Sequence, residues 1–229
     1  MVDPAIVVVA APREHPNVHA TLAGMLLADP AAARLPITVV WDSTSAEPFE
    51  PYGDAVRVEP LSVDELGPTF SHWRSLFGHL RALRAAPRGR PVIVLEDDVR
   101  FTRQWLAKLA RIIDEASDAG PDFAVWGYCR LPLRSERAWT EYPACEATRG
   151  SLLMYLPAHV VEPMAEAMAR SLRLVRPVAC DDLYGHWCRA NGARPIVAVP
   201  SLVQHVGAAS VVNPTQRTLG DARSPVFEP

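Results

Sequence analysis

Residues 92–101, VIVLEDDVRF, run an apolar stretch straight into the carboxylates Glu96, Asp97 and Asp98. Like charges this close repel one another, and each resists burial unless a cation or a hydrogen-bond donor shares its site. Hard divalent ions suit such a group. Mg²⁺ or Mn²⁺ takes one or two carboxylates and completes its shell with phosphate oxygens and water. An ion held this way neutralises charge on a departing diphosphate. Side chains alternate across a strand, so Glu96 and Asp98 are expected on one side and Asp97 on the other, free to accept from a sugar hydroxyl. The alternative is a solvated acidic turn.

Elements around this stretch must deliver it. VIVL reads as a buried strand. Ahead of it, AIVVVAA (5–11), ITVVWD (37–42) and AVRVEPL (55–61) read as strands, and PNVHATLAGMLLADP as a helix with Asn17 as its cap. In TFSHWRSLFGHLRALRAA, the residues Trp73, Leu76, Phe77, Leu80 and Leu83 fall on one helical face. A helix over TRQWLAKLARIIDEA and a strand over DFAVWGY (122–128) follow. This alternation predicts an α/β fold, an open and mostly parallel sheet flanked by helices. Ligands of such sheets bind outside the carboxyl ends of the strands, where Glu96, Asp97 and Asp98 stand. The second half is less regular and predicts a small mixed β region. GSLLMYL (150–156) and ARPIVAVP read as strands, PAHVVEPMAEAMARSL and CDDLYGHWCRANG as helices, and SLVQHVGAAS as a loop. The loop from Arg130 to Glu146, with Trp139, Tyr142 and several arginines, suits acceptor recognition or a partner surface.

The chain has 229 residues, 49% hydrophobic and 21% charged, which suits one domain over residues 1–212 and a mobile tail over 213–229. The halves divide at about residue 128. A net charge of −3 gives no general attraction for nucleic acid or an acidic membrane. Lys108 is the only lysine, so fixed positive charge near a ligand is expected to be a guanidinium, a good partner for phosphate. No stretch approaches the roughly 20 apolar residues of a membrane span, and MVDPAIVVVAAP lacks a basic leader region. The expected location is cytoplasmic. Cys129, Cys145, Cys180 and Cys188 form no CxxC and read as reduced thiols. Cys180, His186 and Cys188 could be argued into a zinc site, although their spacing is not that of the usual fingers.

VIVLEDDV followed by a helix bearing Trp105 resembles the metal-site motif of nucleotide-sugar glycosyltransferases with the GT-A fold, the lipooligosaccharide-biosynthesis type above all. Further fragments resemble the family in order. FSHWRSLFGHLRAL is similar to its Ser-His helix, and GSLLMYLPAHVVEPM to its Gly-led strand near the sugars. CDDLYGHW is similar to the helix start that presents a catalytic base, and VPSLVQHVGAAS to the closing segment that returns a histidine to the metal. The resemblance spans about residues 5 to 210. The Ala, Arg and Pro bias suggests a GC-rich bacterial source.

The resemblance implies transfer of a sugar from a nucleoside-diphosphate sugar, a UDP-sugar by preference, to a hydroxyl of a small-molecule or glycan acceptor. It implies Asp98 as a direct Mn²⁺ or Mg²⁺ ligand and His205 as a second, through a neutral imidazole nitrogen. The alternative for His205 is a loop histidine bonded to backbone. Asp97 would contact the ribose, and Glu96 the nucleotide or a supporting arginine. Ala11, Pro12 and Arg13 would frame the base, with plain surface the alternative for Arg13. His72 would touch the donor or brace Asp97, and Gly150 would let backbone approach the donor sugar. In an inverting reaction Asp182 would take the acceptor proton, with Asp181 as helix cap or sugar contact.

Competing classes are a sugar-phosphate nucleotidylyltransferase, a catalytically silent nucleotide- or sugar-binding module on the same scaffold, and a metal-dependent phosphoesterase. The first usually carries a Gly-rich phosphate loop after the opening strand, and AAPREHPNVHA has no glycine. The last generally needs more ligands than one acidic cluster supplies.

Overall fold

The structure is a computed structural model, and it describes residues 3–10, 17–41, 47–61, 72–129, 131–142, 150–174, 178–206, 224 and 227. Its centre is an α/β sheet. Strand β1 (Ala5–Ala10) pairs in parallel with β2 (Ile37–Trp41) on one side and β4 (Val92–Glu96) on the other, and β3 (Val56–Pro60) extends the sheet beyond β2. β1, β2 and β4 are runs of Val and Ile, and nearly every residue in them is buried. That is the pattern of strands covered by helices on both faces. β3 is an edge, and its exposed Arg57 and closing Pro60 protect it from further pairing.

Beyond β4 come β8 (Leu153–Leu156), β6 (Phe123–Trp126), β9 (Arg194–Ala198) and β7 (Trp139–Glu141). β8 runs antiparallel to both β4 and β6, and β7 antiparallel to β9, so the second half is mixed as its sequence implies. The other strands share one direction.

Alternation along the strands builds two cores. Ile6, Val8, Ile93 and Leu95 pack against α1 (Val18–Ala28) and α3 (Trp105–Asp118). Val7, Val92 and Val94 face α2 (His72–Ala85), α4 (Ala158–Ser171) and α5 (Cys180–Ala190). No helix among the described residues is long and apolar enough to cross a membrane.

Several local expectations are corrected. Asn17 has helical backbone (φ −79°, ψ −15°) and makes no side-chain cap. Asp181 and Asp182 lie in the first turn of α5 behind Ala179, and no side chain caps that helix. Part of the expected loop after Pro200 is strand β10 (Val203–His205), paired antiparallel with β5 (Val99–Phe101) in a separate small sheet. Within the expected recognition loop, Trp139 and Tyr142 are buried, and Trp139 Nε1 donates to Glu115 Oε2 at 3.0 Å. Cys180 and Cys188 are buried whereas His186 is exposed, so these three do not converge on a zinc ion. In the C-terminal segment, Ser224 is buried. Its backbone N–H donates to Gln204 Oε1 at 2.8 Å, and its hydroxyl lies 2.7 Å from Ser201 Oγ.

Candidate active site

β4 ends at Glu96, and the chain bends through Asp97 and Asp98 before β5 begins. Strand alternation therefore does not govern the two aspartates. A side chain from α1 holds the bend. Thr21 Oγ1 donates to the Asp97 carbonyl at 2.8 Å and accepts from the Val99 N–H at 3.3 Å. Asp97 and Asp98 are both buried.

β10 closes over this bend. Its register sets His205 opposite Val99, and the Val206 N–H donates to the Asp98 carbonyl at 2.9 Å. The pairing brings His205 Nε2 to 3.2 Å from Asp98 Oδ2.

Glu96 meets the second half of the chain. Ser151 Oγ donates to Glu96 Oε1 at 2.7 Å, and His79 Nε2 lies 3.9 Å from the same oxygen. His79 is buried on α2, and its Nδ1 is 3.1 Å from the Tyr184 hydroxyl on α5. The tautomer that satisfies both neighbours takes the Tyr184 proton at Nδ1 and turns Nε2–H toward Glu96. Next to Ser151, the Gly150 N–H donates to Asp181 Oδ2 at 3.1 Å. Gly150 sits at φ +91°, and a Cβ there would meet the Tyr128 ring at 2.5 Å. Only glycine fits this position without movement.

The electrostatics follow from burial and crowding. Desolvation, then the nearby Asp98 charge, push Glu96 up to about 7, with Asp181 adding to the rise; the Ser151 hydrogen bond and His205 oppose it. Burial brings His79 down to about 4, so its ring is neutral at physiological pH. Burial also raises Tyr184 well above the ordinary phenol range, which keeps it an O–H donor.

A carboxylate and an imidazole are donor types a divalent ion accepts, although their 3.2 Å separation is equally that of an N–H···O hydrogen bond. Adjacent ligands of an octahedral ion with bonds of about 2.1–2.2 Å stand roughly 3.0–3.1 Å apart, and Asp98 Oδ2 and His205 Nε2 are 3.2 Å apart. Among the described residues no group of three or more His, Cys, Asp or Glu side chains forms a ready cage. Two protein ligands, with phosphate oxygens and water completing the shell, are what a hard ion at a diphosphate uses.

The structure thus gathers Glu96, Asp97, Asp98, Gly150, Asp181 and His205 at the carboxyl edge of β4. Asp182 is half-buried one residue further along α5. His72 opens α2. Ala11, Pro12 and Arg13 lie outside the described residues. Thr21, Ser151 and Tyr184 were not expected at the site, and His79 reads from the sequence as a surface or packing residue. One signal for His79 was present, a polar residue inside the apolar stripe of Leu76, Leu80 and Leu83.

Comparison with solved structures supports the architecture. The crystal structure of S. aureus TarS is similar at a TM-score of 0.57 and 16% identity, over 85% of this chain and 35% of that one. The chain thus spans about a third of the TarS chain (35%), and at this identity the likeness concerns the fold. The nucleoside-diphosphate-sugar pyrophosphorylase from Vibrio cholerae RC9 gives a TM-score of 0.49 at 10% identity, over 88% of this chain and 95% of that one, too slight a likeness to bear on function. No protein-family model matches the sequence, and no curated protein matches it.

Proposed function

We propose that the protein is a glycosyltransferase that moves a sugar from a nucleoside-diphosphate sugar, a UDP-sugar by preference, to a hydroxyl acceptor with inversion. The observation that carries this reading is the approach of His205 Nε2 to Asp98 Oδ2 at 3.2 Å, on the sheet edge where α/β folds bind nucleotides. Asp98 and His205 would hold Mn²⁺ or Mg²⁺. The ion's contribution when bound is to neutralise charge on the leaving diphosphate.

The remaining work falls to the chain's own groups. Asp97, buried beside the ligand pair, is assigned to the ribose, and the Gly150 backbone to the donor sugar. One Asp181 oxygen is committed to the Gly150 N–H, which fixes the carboxylate in place. Asp182 has no hydrogen bond or ion pair to another described residue, and it is assigned as the base that takes the acceptor hydroxyl's proton as that oxygen attacks the anomeric carbon. Glu96 is held by the Ser151 hydroxyl, with the neutral His79 ring 3.9 Å away.

A panel of nucleoside-diphosphate sugars, followed by release of the nucleoside diphosphate, tests the reading. One donor should turn over, and Asp182→Asn should slow turnover by about 10²–10⁴-fold with donor binding retained. Asp181→Asn should weaken donor binding more than it slows the bound complex. No turnover of any donor, with binding intact, would favour the silent binding module.

A further inference from the structure

The sheet has a second functional-looking end. Opposite Asp98, where β1 and β4 begin, a pocket of about 330 Å³ opens beside α3, at the small end of ligand-site volumes. Its walls include the apolar Ile93, Leu109 and Ile113. The exposed Asp3 and Asp114 also line it, and among the described residues no Lys, Arg or His does. Asp29 is the third lining carboxylate, but its oxygens are occupied by the Ala31, Leu106 and Ala107 N–H groups. Among the described residues, Asp3 and Asp114 therefore supply the charge not engaged in a hydrogen bond or ion pair.

Tyr155 distinguishes this pocket from a packing void. It is only 3% exposed, pairs in register with Ile93, and stacks on Phe123 with ring centroids 6.1 Å apart. Among the described residues its hydroxyl has no hydrogen-bond partner, yet the atom is not sealed from solvent, so it opens to the cavity. Phenylalanine would pack as well there, so what tyrosine adds is a hydroxyl offered to the cavity. Burial and the nearby Asp114 push the phenol up to about 12, so it stays protonated and can donate.

We propose that this pocket binds a small organic ammonium with an apolar body and a hydroxyl at its far end. The cationic end meets Asp3 and Asp114, the body lies on Ile93, Leu109 and Ile113, and the hydroxyl reaches Tyr155. The site stands apart from the sheet edge that carries Asp98 and does not depend on the transferase reading.

Calorimetric titration of the whole chain tests it with matched probes: 2-(4-hydroxyphenyl)ethylammonium, 2-phenylethylammonium and the anion 3-phenylpropanoate. The first should bind, the second about tenfold more weakly, and the anion not at all. Tyr155→Phe should erase the difference between the ammonium probes. Asp114→Asn should weaken both about threefold at low salt. Ala110→Trp, at an exposed wall position, should abolish binding, with an unchanged melting temperature and circular dichroism spectrum showing that the fold is intact. No heat from either ammonium at millimolar concentration, equal binding of the anion, or binding that survives Ala110→Trp would overturn the proposal.

Discussion

Glu96 and His79 stand 3.9 Å apart with opposite displacements from their ordinary protonation behaviour. Folding raises Glu96 from 4.5 to about 7, so its stabilising contribution is present below pH 4.5 and is lost as pH rises through about 7. Folding lowers His79 from 6.5 to about 4, so its contribution is present above pH 6.5 and is lost as pH falls through about 4. Between these limits the two slopes oppose, each covering about 3 kcal/mol. In metal-free buffer the wild type should therefore show a shallow stability profile from pH 4.5 to 6.5. His79→Phe should make stability fall as pH rises, and Glu96→Gln should make it fall as pH drops. Urea denaturation across that range checks this, and profiles in both variants that match the wild type would contradict it. At this scale the sequence was informative where charge broke an apolar pattern. Glu96, Asp97, Asp98, Asp181 and His205 were all named from it, and all lie together. His79 reads as a surface or packing residue and Tyr184 gives no signal, because each sits in a helical stripe whose ordinary occupant is a packing residue. Ser151 and Thr21 carry no charge and were visible only through their partners.

Elements matter here as clamps. The acidic bend is fixed from α1 by a hydroxyl and from β10 by strand pairing, so its geometry depends on residues distant in sequence. Thr21→Val keeps the volume but removes the bonds to Asp97 and Val99. It should cost about 1–2 kcal/mol and weaken metal-dependent nucleotide binding, read by urea denaturation and calorimetry. Gly150→Ala is a harsher test. Its Cβ would fall 2.5 Å from Tyr128 at a φ of +91°, so we expect a loss of about 2 kcal/mol or more and a melting temperature several degrees lower. An unchanged melting temperature would show that Tyr128 can give way. The long strands were readable because Val and Ile runs are strong signals. β5, β7 and β10 span three residues each, too short for periodicity to register. Their existence depends on what they pair with, as β10 shows by turning an expected loop into the strand that carries His205.

Across the whole molecule, the strand order β3-β2-β1-β4 continued by β8-β6-β9-β7 joins a parallel half to a mixed one. The seam falls at β4 and β8, where the acidic bend of one half meets Gly150 and Ser151 of the other. That alternation of strand and helix was legible, because a parallel sheet needs crossovers of recognisable length. The antiparallel direction of β8 was not, because a buried strand reads the same either way. Placing the site at this seam makes the nucleotide–metal role of Asp98 the claim on which the functional reading rests. The most direct measurement is calorimetric titration of UDP into the protein with Mn²⁺, repeated with EDTA and with Asp98→Asn. The account predicts binding that needs Mn²⁺ and is lost in the variant, with GDP, CDP and TDP weaker than UDP. Binding of UDP that is indifferent to EDTA and to Asp98→Asn, or no binding of any nucleoside diphosphate, would contradict it.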